Sequence, residues 1–458
     1  MSNVLLVEPN YRSKFPPLGL LRIASYHKAC GDTVTFSRGC DPTLRSLKWH
    51  KVYVSSLFTY ELPRTVRTIK YYRPSVEMDE DIVVGGVGAT LMPGYIRQNA
   101  ACRIITGPLT RARTLDSEPR PIAKYLPDYS IIDDDRWTYQ PRESYFCRVT
   151  TGCIRRCGFC AVPVLEPKFS YLQPLRKQVQ EVDRAFGERQ NLVLLDNNIL
   201  ACENLPKIVA DINRSGFEHG AHRNARRRTV DFNQGIDARL ITKHVAALLS
   251  TVSLFPVRLA LDHTAVENAY VRAVRLMADF GFRTFTTYIM FNYSDDPTDF
   301  YHRMKLNVLL SNELGIRISG FPMKYVPIHD ITRRHVSAAW KWRYLRGMQC
   351  ILLATHGLVS PRLEFFDGAF GATDGEFLEI LSMPDRYIIQ RTKYRESGAA
   401  ADWRRSFRRL SASSRAEFLE VLAVVNRSRD KKTTIKQHRR FSSLLEHYYP
   451  GGKPVPCE

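Results

Sequence analysis

The sequence predicts an α/β protein in three parts: a small parallel-sheet domain over residues 1–105, a partial (β/α)6 barrel over 145–330, and a basic, mostly helical region over 331–458. Residues 106–144 are expected to connect the first two parts. Three observations carry this prediction. Short β-type apolar runs alternate with helix-length amphipathic segments from the first residues onward, as strands covered by helices do. The alternation lapses once, in a polar stretch containing prolines, and then resumes for six further repeats. Beyond about Tyr325 the β-type runs stop and helical periodicity takes over.

Taken in order, Val4-Leu5-Leu6-Val7 reads as a buried strand, Phe15-Pro16-Pro17-Leu18-Gly19 as a loop, and the amphipathic stretch through Tyr26 as a helix. Further strands are expected at 33–36, 52–55 and 82–84, the last running into Gly85-Gly86. Residues 107–143, which include Asp133-Asp134-Asp135, show no sustained period and read as a connection. From Tyr145 onward, β-type runs recur at 146–150, 192–195, 230–232, 257–261, 284–290 and 316–321, with amphipathic helices such as 175–186 and 265–280 between them. The segment 403–440 is dense in Arg and Lys. No period of about 20–50 residues marks a solenoid.

Composition bounds the function. With 458 residues, 44% hydrophobic and 25% charged, the chain can bury a sizeable core and is far from disordered compositions. No apolar run approaches the roughly 20 residues that a bilayer span needs. The N-terminus lacks the basic flank, apolar core and small-residue cleavage site of a secretory signal, so a cytoplasmic location is expected. A net charge of +21 attracts polyanions and makes a nucleic-acid or nucleotide substrate plausible, although a general solubility bias gives the same charge. Seven of the ten cysteines, Cys30, Cys40, Cys102, Cys147, Cys202, Cys350 and Cys457, are scattered and read as reduced, mostly buried side chains.

The other three stand together in Thr151-Gly152-Cys153-Ile154-Arg155-Arg156-Cys157-Gly158-Phe159-Cys160, a Cys-x3-Cys-x2-Cys spacing directly after an expected strand. Thiolates are the soft ligands of iron–sulfur clusters, and this spacing lets one loop hold three corners of a cube while the fourth iron stays open. An open metal position binds and activates a ligand, whereas a fully ligated site is structural or electron-transferring. Zinc is the alternative, but its sites are commonly built from two Cys or His pairs, and no second pair is present. A chance triple of inert cysteines is the remaining one.

This segment resembles the cluster loop of the radical S-adenosylmethionine (SAM) superfamily, and the alternation over 145–330 resembles that superfamily's partial TIM-type barrel. The resemblance implies that Cys153, Cys157 and Cys160 hold a 4Fe-4S cluster. It also implies that a one-electron reductant feeds the cluster, and that SAM is cleaved there to methionine and a 5′-deoxyadenosyl radical. It places candidate SAM contacts at Asp196 and Asn197 after the second barrel strand and at Gln234, Asp237 and Arg239 after the third. Asp262 after the fourth strand and Asn292 after the fifth are further candidates, and Lys324 and Tyr325 after the sixth could share that edge. Each of these is equally a turn or capping residue. The resemblance names no catalytic residue.

The opening domain is similar to the Rossmann-like N-terminal domain of cobalamin-binding radical SAM proteins, through residues 4–7, Pro16-Pro17-Leu18-Gly19-Leu20 and Gly85-Gly86. The Asp-x-His-x-x-Gly motif that supplies a cobalt ligand is absent, which implies a degenerate domain, although some members bind cobalamin without that histidine. Cys30, Cys40 and Cys102 do not show the spacing of the tRNA methylthiotransferases' second cluster. In the C-terminal region, Trp340, Trp342 and Tyr344 interleave with Arg333, Arg334 and Arg343. They read either as stacking platforms for nucleic acid or as core aromatics beside solvated helix faces. Three functions therefore stand side by side: a radical SAM enzyme of unknown substrate, a cobalamin-dependent radical SAM methyltransferase, and a nucleic-acid-binding protein with a structural cluster.

Overall fold

The structure, a computed structural model, describes residues 1–116, 118–133 and 139–450. Asp134 and Asp135 of the acidic run, and Cys457, lie outside these. The chain forms two compact units, Met1–Arg258 with Val326–His335 and Leu259–Tyr325 with Val336–Glu458.

The first unit opens with five parallel strands, β1 (Asn3–Glu8), β2 (Thr33–Arg38), β3 (Lys51–Ser55), β4 (Ile82–Gly85) and β5 (Arg103–Ile104), ordered β2-β1-β3-β4-β5. Because side chains alternate along a strand, β1 feeds two cores. Val4 and Leu6 pack with Leu20, Ile23 and Ala24 of the helix Leu18–Ala29. Leu5 and Val7 pack with Leu62, Ile69 and Tyr72 of the helix Leu62–Tyr72. Helices on both faces and a reversal of strand order between β1 and β3 make this a doubly wound sheet of the flavodoxin-like order.

The aperiodic stretch after β5 is packed, not loose. Leu115 and Ile122 join the core that holds Val4 and Leu6. Asp128 N–H donates to the Leu21 carbonyl at 3.0 Å, and the Tyr129 hydroxyl accepts the Phe146 N–H at 2.8 Å. Among its described residues, buried apolar ones such as Leu115, Ile122, Ala123 and Tyr129 fall at irregular intervals, so they leave no periodic trace in the sequence.

A second parallel sheet of the same unit contains β6 (Ser144–Cys147), β9 (Asn191–Leu194) and β12 (Val230–Phe232), in the order β12-β9-β6. Between them, β7 (Thr150–Thr151) pairs antiparallel with β8 (Ser170–Tyr171), and β10 (His222–Arg223) with β11 (Arg226–Arg227). The helix Leu175–Phe186 buries Leu175, Val179 and Val182, spaced as one helical face requires.

The second unit carries β13 (Val257–Ala260), β14 (Thr284–Phe291) and β15 (Arg317–Lys324), in that sheet order, with β14 and β15 parallel over eight residue pairs. All six strands expected over 145–330 thus exist, three in each sheet. Fully buried Arg303 on the helix Pro297–Leu314 donates to the Leu261 and Met290 carbonyls at 3.0 and 2.8 Å and pairs with Asp295 at 2.7 Å. From Trp342–Ala354 onward the unit is helical around one aromatic-rich core. Among the described residues, no helix is long and apolar enough to cross a membrane.

Candidate functional site

The cysteine loop is held by side chains that replace sheet bonds. β6 ends at Cys147 because the backbone N–H and C=O of Arg148 are taken by the Gln178 side-chain amide, at 3.3 and 3.0 Å. The next two N–H groups, of Val149 and Thr150, donate to Asp196 Oδ1 at 3.0 and 2.5 Å, and the Thr150 hydroxyl adds a third bond at 2.7 Å. The expected strand 146–150 is cut short here, and β7 turns into its ladder with β8, which closes the loop 152–169.

Gly152 sits at φ +72°, and a Cβ there would lie 2.9 Å from the Glu166 carbonyl oxygen and closer still to that of Lys168, so only glycine fits. Glu166 ties the loop shut. Its carboxylate accepts a forked pair from the Arg148 guanidinium, the Gly152 N–H at 2.7 Å and the Asn197 amide at 3.0 Å.

Within this frame Cys153, Cys157 and Cys160 are half-buried. Cys153 Sγ accepts the Arg155 N–H at 3.3 Å and the Asn198 amide at 3.5 Å, and Cys160 Sγ accepts the Val162 N–H at 3.5 Å. The same Asn198 amide reaches Asp237 Oδ2 at 3.5 Å. Asp237 also accepts Arg155 Nε at 2.9 Å and Arg239 Nε and Nη2 at 2.7 and 3.1 Å. Burial acts to raise the Asp237 carboxyl, but the bonds from Arg239 and Arg155 outweigh it and hold it below the usual carboxylate range. The hydrogen bonds and charge of Asp237 steady the Arg239 cation against its partial burial.

Asp196 is buried, which pushes its carboxyl up against the opposing bonds from Thr150 and Val149. Its Oδ2 and the Oδ1 of buried Asn198 have no hydrogen-bond partner.

The sequence candidates therefore divide. Asp237 and Arg239 stand beside the cysteines, and Asp196 and Asn197 hold the loop's frame. Gln234 is exposed and donates to Asn233 Oδ1 at 3.3 Å. Asp262 and Asn292 belong to the second unit. There Asp262 accepts the Met290 N–H at 3.2 Å. Asn292 is fully buried at φ +70°, donating to the Tyr325 carbonyl at 3.1 Å and accepting the Ser337 N–H at 2.9 Å. Both its polar ends serve the backbone in these two bonds, as a clamp between segments does. Sequence reasoning missed Arg148, Glu166 and Asn198. Arg148 lies in the expected strand 146–150 and Asn198 directly follows the candidate Asn197, whereas Glu166 gave no signal.

The donor set fits an iron–sulfur cluster: three thiols on one loop, N–H groups aimed at two of the sulfurs, and two guanidinium groups nearby. Among the described residues, no three Cys, His, Asp or Glu side chains close on one point as a mononuclear cage does. A cubane spreads its ligands over separate corners and does not require that. The unpaired acceptors of Asp196 and Asn198 fit a ligand that brings donors, as the ammonium end of SAM does.

The carboxyl edge of the N-terminal sheet is different. Ligands of doubly wound sheets sit where the strand order reverses, here between β1 and β3. Glu8 ends β1, where it accepts the Tyr139 hydroxyl and pairs with Arg38 Nε at 3.3 Å. Arg38 Nη2 donates to the Tyr11 carbonyl at 2.7 Å, and the Tyr11 hydroxyl meets Ser55 Oγ at 3.1 Å. Burial pushes the Glu8 carboxyl up to about 7 against Tyr139 and Arg38. These groups bind one another and include no histidine, while Ser56 Oγ, just past β3, is buried without a hydrogen-bond partner among the described residues.

The C-terminal aromatics are core. Trp340 is buried in the second unit's main cluster. Arg343 donates to the Leu381 and Met383 carbonyls at 3.2 and 2.6 Å and pairs with Asp385 at 2.6 Å. A stacking platform built on Trp340 and Arg343 is thereby ruled out, because both are spent on packing.

No family model matches the chain, and no curated protein is similar to it. Solved structures are. The radical S-adenosylmethionine methyltransferase TsrM of Kitasatospora setae, solved with cobalamin and a [4Fe-4S] cluster bound, superposes with a TM-score of 0.52. It shares 14% sequence identity over 76% of this chain and 78% of that one. The cobalamin-dependent SAM radical enzyme OxsB, with aqua-cobalamin and SAM bound, gives 0.48 at 12% identity over 98% and 72%. Streptococcus suis SuiB bound to its precursor peptide SuiA gives 0.32 at 11% identity over 47% and 46%. The likeness to TsrM shows a shared fold.

Proposed function

We propose that the chain is a radical SAM enzyme whose Cys153, Cys157 and Cys160 hold a 4Fe-4S cluster. The observation that carries this reading is the cysteine loop: three thiols follow β6 in a frame tied by Asp196 and Glu166, with hydrogen-bond donors on Cys153 and Cys160. When bound, such a cluster supplies the electron that breaks SAM into methionine and a 5′-deoxyadenosyl radical able to take a hydrogen atom from a substrate. The chain's residues orient and hold. Arg148, Glu166 and Asn197 fix the loop, and Asn198 donates to Cys153. The unpaired oxygens of Asp196 and Asn198 receive the ammonium of SAM.

In this reading residues 145–330 are the partial barrel of the sequence expectation, Gln234 and Asp262 are ligand-side residues that follow their strands, and the protein works in the cytoplasm with a one-electron donor. Nucleic acid or a nucleotide as substrate rests on net charge alone.

The test is anaerobic reconstitution with iron and sulfide, reduction with dithionite, and chromatographic assay of 5′-deoxyadenosine from added SAM. Wild type is expected to form it and Cys157→Ala is not. A fully loaded wild type that forms none, yet binds polyanions tightly, would point to a structural cluster in a nucleic-acid-binding protein.

The methyltransferase reading draws support from the fold shared with TsrM. It requires the Glu8–Tyr139 contact to open, and corrinoid binding decides it.

A further inference from the structure

Asp237 follows β12 on a turn where Gly235 takes φ +90°, and its side chain is only 8% exposed. Oδ1 accepts the Arg239 N–H at 3.2 Å and Arg239 Nε at 2.7 Å. Oδ2 accepts Arg155 Nε at 2.9 Å, Arg239 Nη2 at 3.1 Å and the Asn198 amide at 3.5 Å. Donors thus fill both oxygens, and the carboxylate has little capacity left to meet a ligand. The residues it gathers all bear on the cysteines. Arg155 donates its backbone N–H to Cys153, Asn198 donates its amide to the same sulfur, and Arg239 shares the Asp237 carboxylate with the side chains of both. One carboxylate against two guanidinium groups leaves a net positive charge beside the loop.

We propose that Asp237 is a positioning residue, which fixes Arg155 and Arg239 beside the cysteine loop so that their charge raises the reduction potential of the cluster held there. The physical basis is Coulombic. Reduction adds an electron to the cluster, nearby fixed cations favour the reduced form, and second-sphere charge and hydrogen bonds to sulfur are established levers on such potentials. Both guanidinium groups are about one-third exposed, at 34% and 39%, so solvent screens part of the effect and geometry must supply the rest. This rests on the reading of Cys153, Cys157 and Cys160 as cluster ligands.

The test is an EPR-monitored redox titration of the reconstituted full chain, with iron and sulfide counted per chain. Arg239→Gln and Arg155→Gln should keep full iron content and move the midpoint potential to more negative values. A double-mutant cycle isolates the role of Asp237. In the R155Q/R239Q background, Asp237→Asn only removes a negative charge and should raise the potential. In the otherwise wild-type chain it also frees two cations, and the shift should be less than half as large or reversed. Equal shifts in the two backgrounds, or arginine variants with the wild-type potential, overturn the proposal. A wild-type chain that takes up no iron overturns the ligand reading beneath it, an outcome that the iron count separates from failure of the charge argument.

Discussion

Glu166→Gln removes one charge from the residue that closes the cysteine loop, and its cost can be worked from the contacts. The carboxylate receives four N–H bonds, two from Arg148, one from the Gly152 backbone and one from Asn197. A glutamine keeps one acceptor oxygen and turns an NH2 group toward the remaining donors, so about half of the bonds are lost and Arg148 loses its counter-charge. A hydrogen bond involving a charged group contributes about 1.5–3 kcal/mol. The Arg148 and Glu166 side chains are 20% and 10% exposed, which lets water recover part of that. The expected loss in local stability is about 2–3 kcal/mol. At roughly tenfold per 1.4 kcal/mol, amides of the loop 152–169 should exchange hydrogen about 30- to 150-fold faster than in wild type. Native-state hydrogen exchange by mass spectrometry on peptides covering this loop reads that number directly, with peptides of the helix Trp342–Ala354 as an internal reference. Loop exchange within a factor of about three of wild type would refute the assignment of Glu166 as the closure.

Gly152→Ala places a methyl against two backbone carbonyls at a positive φ. The left-handed backbone costs about 1–2 kcal/mol and the forced backbone shift about 1–3, so a drop of several degrees in Tm with poorer iron uptake is expected, and an unchanged Tm would show that the loop backbone is not held. Glu8 sets a pH dependence: its carboxyl rises from 4.5 to about 7 on burial, so the folded chain keeps a proton that the unfolded chain has lost. Stability should therefore fall as pH rises from about 4.5 to 7, by an amount on the order of 3 kcal/mol. In urea titrations across that window Glu8→Gln should remove the slope, and a wild-type profile that rises instead would mean Glu8 is ionised in the fold. Added hydroxocobalamin should keep its visible spectrum with the full chain as long as Tyr139 and Arg38 hold Glu8; a shifted spectrum would favour the methyltransferase reading.

Much of the fold was legible because strands between covering helices are continuous apolar runs. The strand expected at 230–232 and the helix at 175–186 were found with those bounds. Strand ends were less legible wherever side chains replaced sheet bonds. Nothing local in 146–150 announces that Gln178, Asp196 and Glu166 will take the backbone and side-chain donors of Arg148 and its neighbours. Strand β5, two half-buried residues, is too short to carry a pattern. For the site, the cysteine spacing singled out Cys153, Cys157 and Cys160 at once, since three cysteines on one loop need no tertiary information. The polar residues after each strand could not be sorted in the same way. Asp196, Asn197, Asp237 and Asn292 are the same kinds of residue at the same kind of position, and only their partners separate a frame residue from a clamp.

The two parallel sheets of the first unit make that distinction sharp. Both end in polar residues at their carboxyl edges, where open α/β sheets take their ligands. At the edge of β1 and β3 the polar groups are mostly spent on one another, Glu8 on Tyr139 and Arg38 and Tyr11 on Ser55, with the Ser56 hydroxyl left buried and unpaired. Past the end of β9, Asp196 Oδ2 and Asn198 Oδ1 stay buried and unpaired while one side of each residue is fully used. A buried acceptor without a donor costs about 1–3 kcal/mol, and two such atoms persist next to three half-buried thiols. Substituting the unpaired groups alone gives a way to weigh that cost. Asn198→Ala should lose the bond to Cys153 yet destabilise the ligand-free chain by less than the usual cost of a buried hydrogen bond, because the orphaned oxygen goes with it. A loss well above about 2 kcal/mol in urea unfolding of the ligand-free chain would mean that Asn198 is there for the fold and not for a ligand.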